Sequence, residues 1–133
     1  MPGTVSVELV QIDDSTSEAH IRQHTVRIDR PEAKGGANKG PMGGELFLAA
    51  IGGCFMSTLL AAIKARTAAV SHVRVAVVGT LADGPTRYEA VHVRVSAEGE
   101  ARDVLEKLVD VADRGCIMTN TLRETLSLSV TLL

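Results

Sequence analysis

The feature that most constrains this chain is a stretch of 18 residues, Leu46 to Ile63, that contains no charged side chain. An acid, Glu45, precedes the stretch, and two cations, Lys64 and Arg66, follow it. This order of charges matches the dipole of one long helix. A helix over these 22 residues is about 33 Å long. Because the helix is apolar nearly all round, we expect it to be buried on most sides.

The stretch lies at the lower edge of the length that a membrane-spanning helix needs. It is interrupted by Gly52, Gly53, Ser57 and Thr58, and the rest of the chain reads as strands that need a helix to pack on. We therefore expect a buried core helix and no membrane. The two glycines cost about 1 kcal/mol each relative to alanine, which predicts that another backbone approaches closely here.

The length of 133 residues predicts one domain, residues 1–133. A monomer of this size cannot easily cover a long apolar helix on every face, which favours a dimer that shares the helix. The remaining patterns are alternating apolar residues, typical of strands, and one amphipathic helix. Together they predict an α+β fold. The predicted strands are 4–12, 19–28, 72–80, 88–97 and 126–133, and the further helices are 100–114 and 117–125.

A glycine-rich loop, Pro31 to Gly44, precedes the long helix. Its glycines indicate either flexibility or several positions with positive φ. A glycine-rich loop before a helix can also bind phosphate. However, neither the dinucleotide-binding nor the P-loop spacing is present, so we do not expect a nucleotide.

The overall composition excludes several classes of protein. The net charge of -2, the scattered cations and the low aromatic content argue against nucleic acid as a partner. The N-terminus has no basic segment followed by an apolar one, so we expect no signal peptide and a cytoplasmic protein. In that compartment the two cysteines are expected to be reduced or redox-active thiols.

The two cysteines are Cys54, within the long helix, and Cys116, just after the amphipathic helix. Taken alone, each can be read as a small buried hydrophobe. The chain has no CxxC pair, and its four histidines lie in predicted strands. We therefore expect neither a metal site nor a cofactor.

Two short motifs give these cysteines a context. The run Gly40 to Phe55 reads GPMGGELFLAAIGGCF, and Cys116 is followed by Asn-Thr-Leu-Arg at 120–123. The segment His24 to Gly36 precedes the first motif and reads HTVRIDRPEAKGG. In this order the motifs resemble those of the OsmC/Ohr family of thiol-dependent peroxidases, over about residues 20 to 133.

The resemblance implies an OsmC-like fold, in which antiparallel sheets wrap around long central helices in an intertwined homodimer. It also implies that Cys54 attacks an organic hydroperoxide as a thiolate and that Cys116 resolves the resulting sulfenic acid as a disulfide. A dithiol or a lipoylated protein then restores both thiols. An apolar surround favours organic hydroperoxides over hydrogen peroxide.

The chain departs from the family pattern at two charged positions. The family has a glutamate ten positions before the first cysteine; here that position is Gly44, and the acid follows as Glu45. Nine residues turn a helix by about 180°, so Glu45 faces away from Cys54 of its own chain. Glu45 is then either a helix-start charge or a catalytic group that reaches a site across the dimer.

In the family the glutamate pairs with an arginine from the N-terminal region. No residue before Ala19 is basic here, and the nearby candidates are Arg22, Arg27 and Arg30. We choose Arg22, although each of the three can also be a solvated strand charge. The predicted catalytic residues are thus Cys54, Cys116, Glu45 and Arg22.

Two other functions stay open. The chain can be a non-enzymatic dimer that binds a small apolar ligand between its subunits, or a thiol redox sensor with a protein partner. The first alternative predicts unreactive thiols, and the second predicts oxidation without turnover.

Overall fold

The computed structural model describes residues 3–124 and 126–133 of the chain, and the fold is α+β. The chain divides into two compact units, Met1–Phe47 and Leu48–Leu133; the prediction of a single domain stays a prediction. The strands are β1 (Glu8–Gln11), β2 (Ser17–Ile21), β3 (His24–Ile28), β4 (Ser71–Ala82) and β5 (Arg87–Glu98). The helices are α1 (Gly43–Ala65), α2 (Arg102–Gly115) and α3 (Ile117–Arg123), with a short 3-10 turn at Glu32–Lys34.

The first unit contains an antiparallel sheet in the order β1-β2-β3. The single strand predicted over residues 19–28 is wrong, because the chain turns between Ile21 and His24, which are paired partners. The apolar positions change parity between Ile21 and Val26, so an unbroken strand would place them on opposite faces. Arg22 lies in this turn with φ of 55°.

The glycine-rich loop that follows β3 is organised by a buried carboxylate. Asp29 is 2% exposed, and its Oδ2 accepts hydrogen bonds from the Thr16 hydroxyl at 3.0 Å and the Lys39 backbone N–H at 3.1 Å. A Cβ at Gly36 or Gly40 would collide with backbone carbonyl groups of the preceding segment. The loop therefore needs glycine at these two positions for close backbone approach.

The second unit is built on the long antiparallel hairpin of β4 and β5, which pair from Ser71↔Glu98 to Ala82↔Arg87. One face of α1 packs on this hairpin and on α2. The buried residues of this core are Phe55, Leu59, Ala62, Leu108, Ala112 and Cys116, flanked by valines of both strands.

Helix α1 confirms the long helix predicted from the uncharged stretch, but its burial differs from the prediction. Only one face is buried, and the opposite face, which includes Gly53, Ser57 and Leu60, is exposed in the single chain. By length and composition α1 could also cross a membrane. The prediction of burial on most sides is thus wrong for one protomer, because a chain of this size covers one side of the helix only.

The final strand predicted over residues 126–133 is also wrong. Neither sheet in the described part of the chain includes this segment, and its apolar side chains are exposed, Leu128 by 84% and Leu132 by 97%. Alternation alone cannot make a strand, because the backbone also needs a neighbouring strand with which to form hydrogen bonds. The other predicted helices and the β4–β5 hairpin are confirmed to within a few residues.

A substitution at Gly52 tests the packing of α1 on β4. A Cβ at Gly52 would lie 2.8 Å from Cγ2 of Val77, so the predicted close approach is made by a side chain and not by a backbone. We expect Gly52→Ala to lower the free energy of unfolding by about 1 kcal/mol net, because overpacking of this contact costs about 1–3 kcal/mol and the gain in helix propensity offsets only about 1 kcal/mol of it.

The matched control is Gly43→Ala, at the first residue of the same helix. A Cβ there meets nothing within 4 Å, so the change is expected to stay within about 0.5 kcal/mol. Urea unfolding of both variants measures the difference. Equal stability of Gly52→Ala and the wild type would contradict the packing described.

Candidate active site

The two cysteines, 62 positions apart in sequence, meet in the second unit. Cys54 lies on α1 and is partly buried, while Cys116 lies between α2 and α3 and is 0% exposed. Their sulfur atoms are 3.4 Å apart, and both cysteines are free thiols. A disulfide needs a sulfur–sulfur distance of about 2.05 Å. The two sulfurs are therefore not bonded in this structure but are close enough to be linked by a small movement.

The sulfurs meet because the end of α2 approaches α1 closely. Gly115 is the last residue of α2, and a Cβ there would lie 3.1 Å from Cγ2 of Thr58 on α1. Thr58 is one helical turn beyond Cys54 and donates its hydroxyl to the Cys54 carbonyl oxygen at 3.0 Å. A larger residue than glycine at 115 would push Cys116 away from α1.

The surroundings of the pair are apolar. Cys116 belongs to the same buried cluster as Phe55, Leu59, Leu108 and Ala112, and Cys54 packs against this cluster. Such an environment disfavours charge, because burial removes water from a thiolate. It favours an organic substituent close to the sulfur atoms.

Hydrogen bonds offset this penalty at Cys116. Burial by itself raises the pKa of the Cys116 thiol, but the backbone N–H of Thr119, the thiol of Cys54 and the hydroxyl of Thr119 together lower it below its ordinary value. These donors stabilise the charged form of the sulfur. The pair is therefore expected to hold a thiolate more readily than two isolated buried cysteines.

The two other predicted site residues lie in the first unit. Arg22 is exposed in the β2–β3 turn. Glu45 lies in the first turn of α1, where its Oε1 accepts a hydrogen bond from the Met42 N–H at 2.8 Å. This bond satisfies a free donor at the helix start. Of the four predicted residues, the structure thus brings together Cys54 and Cys116, and the catalytic roles of Glu45 and Arg22 stay predictions.

Three residues around Cys116 are not among the site residues predicted from the sequence, namely Asp113, Thr119 and Arg123. Thr119 donates its hydroxyl to the Asp113 carbonyl oxygen at 2.9 Å, and Nη2 of Arg123 contacts both carboxylate oxygens of Asp113 at 2.6 Å. The position of Thr119, three residues after Cys116 at a helix start, was a visible signal. The pairing of Asp113 with Arg123 was not visible, because it depends on the angle between α2 and α3.

A groove of about 400 Å³ lies beside the core between α1, β5 and α2. Leu59 and Leu108 line it and also pack in the cluster that contains Cys116. Arg102 and Glu106, which form an ion pair at 3.2 Å, lie among its lining residues. The groove is mainly apolar, so an uncharged hydrocarbon group is the kind of ligand that fits it.

Comparison with known proteins agrees with the fold. The model of one protein family, described as OsmC-like protein, matches residues 36–131. The structure of an OsmC-like protein from Mycoplasma pneumoniae is similar, with a TM-score of 0.80 and 19% identity, over 92% of this chain and 89% of that one. No curated protein matches the sequence significantly.

Two organic hydroperoxide resistance proteins have similar folds. The protein from Elizabethkingia anophelis has a TM-score of 0.70 and 20% identity, over 92% of this chain and 91% of its own. OhrB of Bacillus subtilis has a TM-score of 0.65 and 18% identity, over 89% of this chain and 90% of its own. At these identities the likeness establishes the OsmC-like fold.

The lowered pKa of Cys116 gives a testable titration. Because the donors of Thr119 and Cys54 favour the Cys116 thiolate, we expect thiolate absorbance to appear below the ordinary pKa of cysteine as the pH rises. Cys116→Ser should lose this early step, and Cys54→Ala, which removes one of the groups that lower the pKa of Cys116, should move it to higher pH. Ultraviolet absorbance of the reduced protein measures both. An early step that persists in Cys116→Ser would contradict the assignment.

Proposed function

The chain belongs to the family of OsmC-like proteins, and from this premise we propose that it reduces organic hydroperoxides with its two thiols. The observation that carries the proposal is the 3.4 Å distance between the sulfurs of Cys54 and Cys116. Two thiols in an apolar site, poised to form a disulfide, are what a dithiol peroxidase requires. The proteins from Elizabethkingia anophelis and Bacillus subtilis, whose names refer to organic hydroperoxide resistance, have the same fold.

The proposed reaction has three balanced steps. The Cys54 thiolate attacks the O–O bond of the hydroperoxide, becomes a sulfenic acid and, with one proton, releases an alcohol. The Cys116 thiol then displaces the sulfenic hydroxyl, which forms the Cys54–Cys116 disulfide and one water. A dithiol, free or carried by a lipoylated protein, reduces this disulfide and becomes a disulfide itself.

The exposure of the two sulfurs supports these roles. Cys54 is partly exposed and can meet a substrate, whereas Cys116 is fully buried. The lowered pKa belongs to Cys116, the proposed resolving thiol. As Cys54 attacks the peroxide, its proton can pass to Cys116 across the 3.4 Å between the sulfurs, and Cys116 then acts as the resolving thiol.

We also propose that the active form is an intertwined homodimer. The uncovered face of α1 and the exposed segment 126–133 are the two apolar surfaces that a second copy would cover. In that dimer Glu45 and Arg22 are the residues we propose to serve the thiols across subunits. We place the protein in the cytoplasm, where thiol reductants maintain the cycle.

A substitution on the uncovered helix face tests the dimer. Leu60 is 49% exposed on α1, and Leu60→Glu is expected to convert a dimer into a monomer, because it would bury a charge at the interface. Sedimentation velocity measures the change. The matched control is Leu81→Glu at the end of β4, where the leucine is 62% exposed; this variant should stay dimeric. A monomeric wild type would refute the proposal.

Steady-state turnover tests the peroxidase. We expect the reduced protein to consume cumene hydroperoxide with dihydrolipoamide. Cys54→Ser should lower the rate by at least about 1,000-fold, since the nucleophile is lost. Cys116→Ser should consume about two equivalents of peroxide and then stop, because the first takes Cys54 to the sulfenic acid and the second takes it to the sulfinic acid. Intact mass identifies these products.

The same assay separates the alternatives. Without turnover in the wild type, and with both thiols still titratable after peroxide, the ligand-binding dimer becomes the better account, and the groove beside α2 is where the ligand should be sought. Oxidation to the disulfide without turnover on any small dithiol would instead identify a redox sensor.

A further inference from the structure

Cys116, the proposed resolving thiol, lies in a one-residue connection between two helices, which we call the elbow. Helix α2 ends at Gly115, helix α3 begins at Ile117, and Cys116 between them has an extended backbone with φ of -83° and ψ of 120°. One residue is the whole connection. The position of the Cys116 sulfur therefore depends on the angle between α2 and α3 as well as on the approach of α2 to α1.

Asp113, in the last turn of α2, makes the hydrogen bonds that fix the angle between α2 and α3. Its carbonyl oxygen accepts hydrogen bonds from the Cys116 N–H at 3.4 Å and from the Thr119 hydroxyl at 2.9 Å. Both oxygens of its carboxylate accept hydrogen bonds at 2.6 Å from Nη2 of Arg123, the last residue of α3. Residues near both ends of α3 thus form hydrogen bonds with one residue of α2, and Cys116 lies in the connection between the two helices.

The ion pair is charged at neutral pH and is only partly exposed. Arg123 beside Asp113 lowers the pKa of that carboxyl group below its usual value, against the opposing effect of burial. The Asp113 side chain is 33% exposed and that of Arg123 is 57% exposed. Such a pair adds little to global stability, so its effect is expected mainly in the local geometry that it fixes.

We infer that the Asp113–Arg123 ion pair is a positioning latch that holds the Cys116 sulfur against Cys54. Forming the disulfide shortens the sulfur–sulfur distance from 3.4 Å to about 2.05 Å, a movement of about 1.4 Å. While the ion pair is formed, that movement is small. When the ion pair is lost, α3 can change its angle to α2, and the two sulfurs are farther apart most of the time.

Loss of the ion pair is expected to change the effective concentration of the Cys116 thiol at Cys54, which measures how readily the two form a disulfide. A misplacement of about 1 Å can lower the rate of a positioned reaction by about 100-fold. We expect the loss of the latch to reduce the effective concentration by about 10-fold or more. In the peroxidase cycle, which rests on the proposed function, a slow Cys116 would leave the sulfenic acid exposed to further oxidation.

The test measures disulfide formation without peroxide. Reduced wild type, Arg123→Gln and Asp113→Asn are equilibrated in glutathione redox buffers, and the fraction of Cys54–Cys116 disulfide gives the effective concentration. Both variants should fall by the same factor, and the double variant should fall no further, because either change opens the same latch. Arg123→Lys should restore the wild-type value, since a single nitrogen makes both contacts to the carboxylate.

Arg114→Gln is the matched control. Arg114 is adjacent to the elbow and forms a similar ion pair, at 3.0 Å, with Asp110 of the same helix. Its side chain does not fasten α3, so its loss should leave the effective concentration unchanged. If Arg123→Gln fails to fold, the charge-swapped pair Asp113→Arg with Arg123→Asp is measured instead and should recover most of the wild-type value.

The latch proposal would be overturned if Arg123→Gln kept the wild-type effective concentration. It would also be overturned if Arg114→Gln lost as much as Arg123→Gln. Because no peroxide is used, this outcome is distinct from failure of the peroxidase proposal. A protein without turnover can still show the latch, and an active peroxidase can still lack it.

Discussion

The packing of one face of α1 on the β4–β5 hairpin and α2 is the constraint on which the rest of this structure depends. The uncharged stretch of the sequence cannot remain in water, and a single chain covers only the face that includes Ile51, Phe55 and Leu59. Gly52 lets Val77 approach the helix, and Gly115 lets the end of α2 approach Thr58. These contacts bring the sulfurs of Cys54 and Cys116 to 3.4 Å.

The chemistry follows from the place of the thiols within that packing. A buried thiol is ordinarily a weak nucleophile, because charge is disfavoured away from water. Here the backbone N–H and the hydroxyl of Thr119 offset the burial of Cys116 and lower its pKa. Charge on the Cys116 sulfur is thereby less disfavoured than burial alone would make it.

Much of the architecture could be predicted from the sequence. The long helix followed from the absence of charge between Glu45 and Lys64, and the β4–β5 hairpin followed from alternating valines. The break at Arg22 corresponds to the changed parity of Ile21 and Val26, a signal that the sequence does contain. The alternating pattern of residues 126–133 predicts a strand, yet a pattern identifies no neighbouring strand, and in this chain the segment has an exposed, irregular backbone.

The site itself was only partly predictable. Motif resemblance selected Cys54 and Cys116, but their distance depends on how α1 and α2 cross, which no local pattern encodes. The ion pair between Asp113 and Arg123 could not be predicted for the same reason. The two residues are ten positions apart and meet only because α3 folds back towards α2. Glu45 is a residue chosen from a motif that accepts a hydrogen bond at the helix start of its own chain, and its catalytic role stays a prediction.

The most direct test of the account is a single oxidation of the reduced protein. One equivalent of an organic hydroperoxide is added in the absence of any reductant, and intact mass and free thiols are measured. The account predicts that each chain loses two hydrogens and both thiols, with Cys54 linked to Cys116 within the same chain. Chains that keep both thiols, or that link only to other chains, would contradict it.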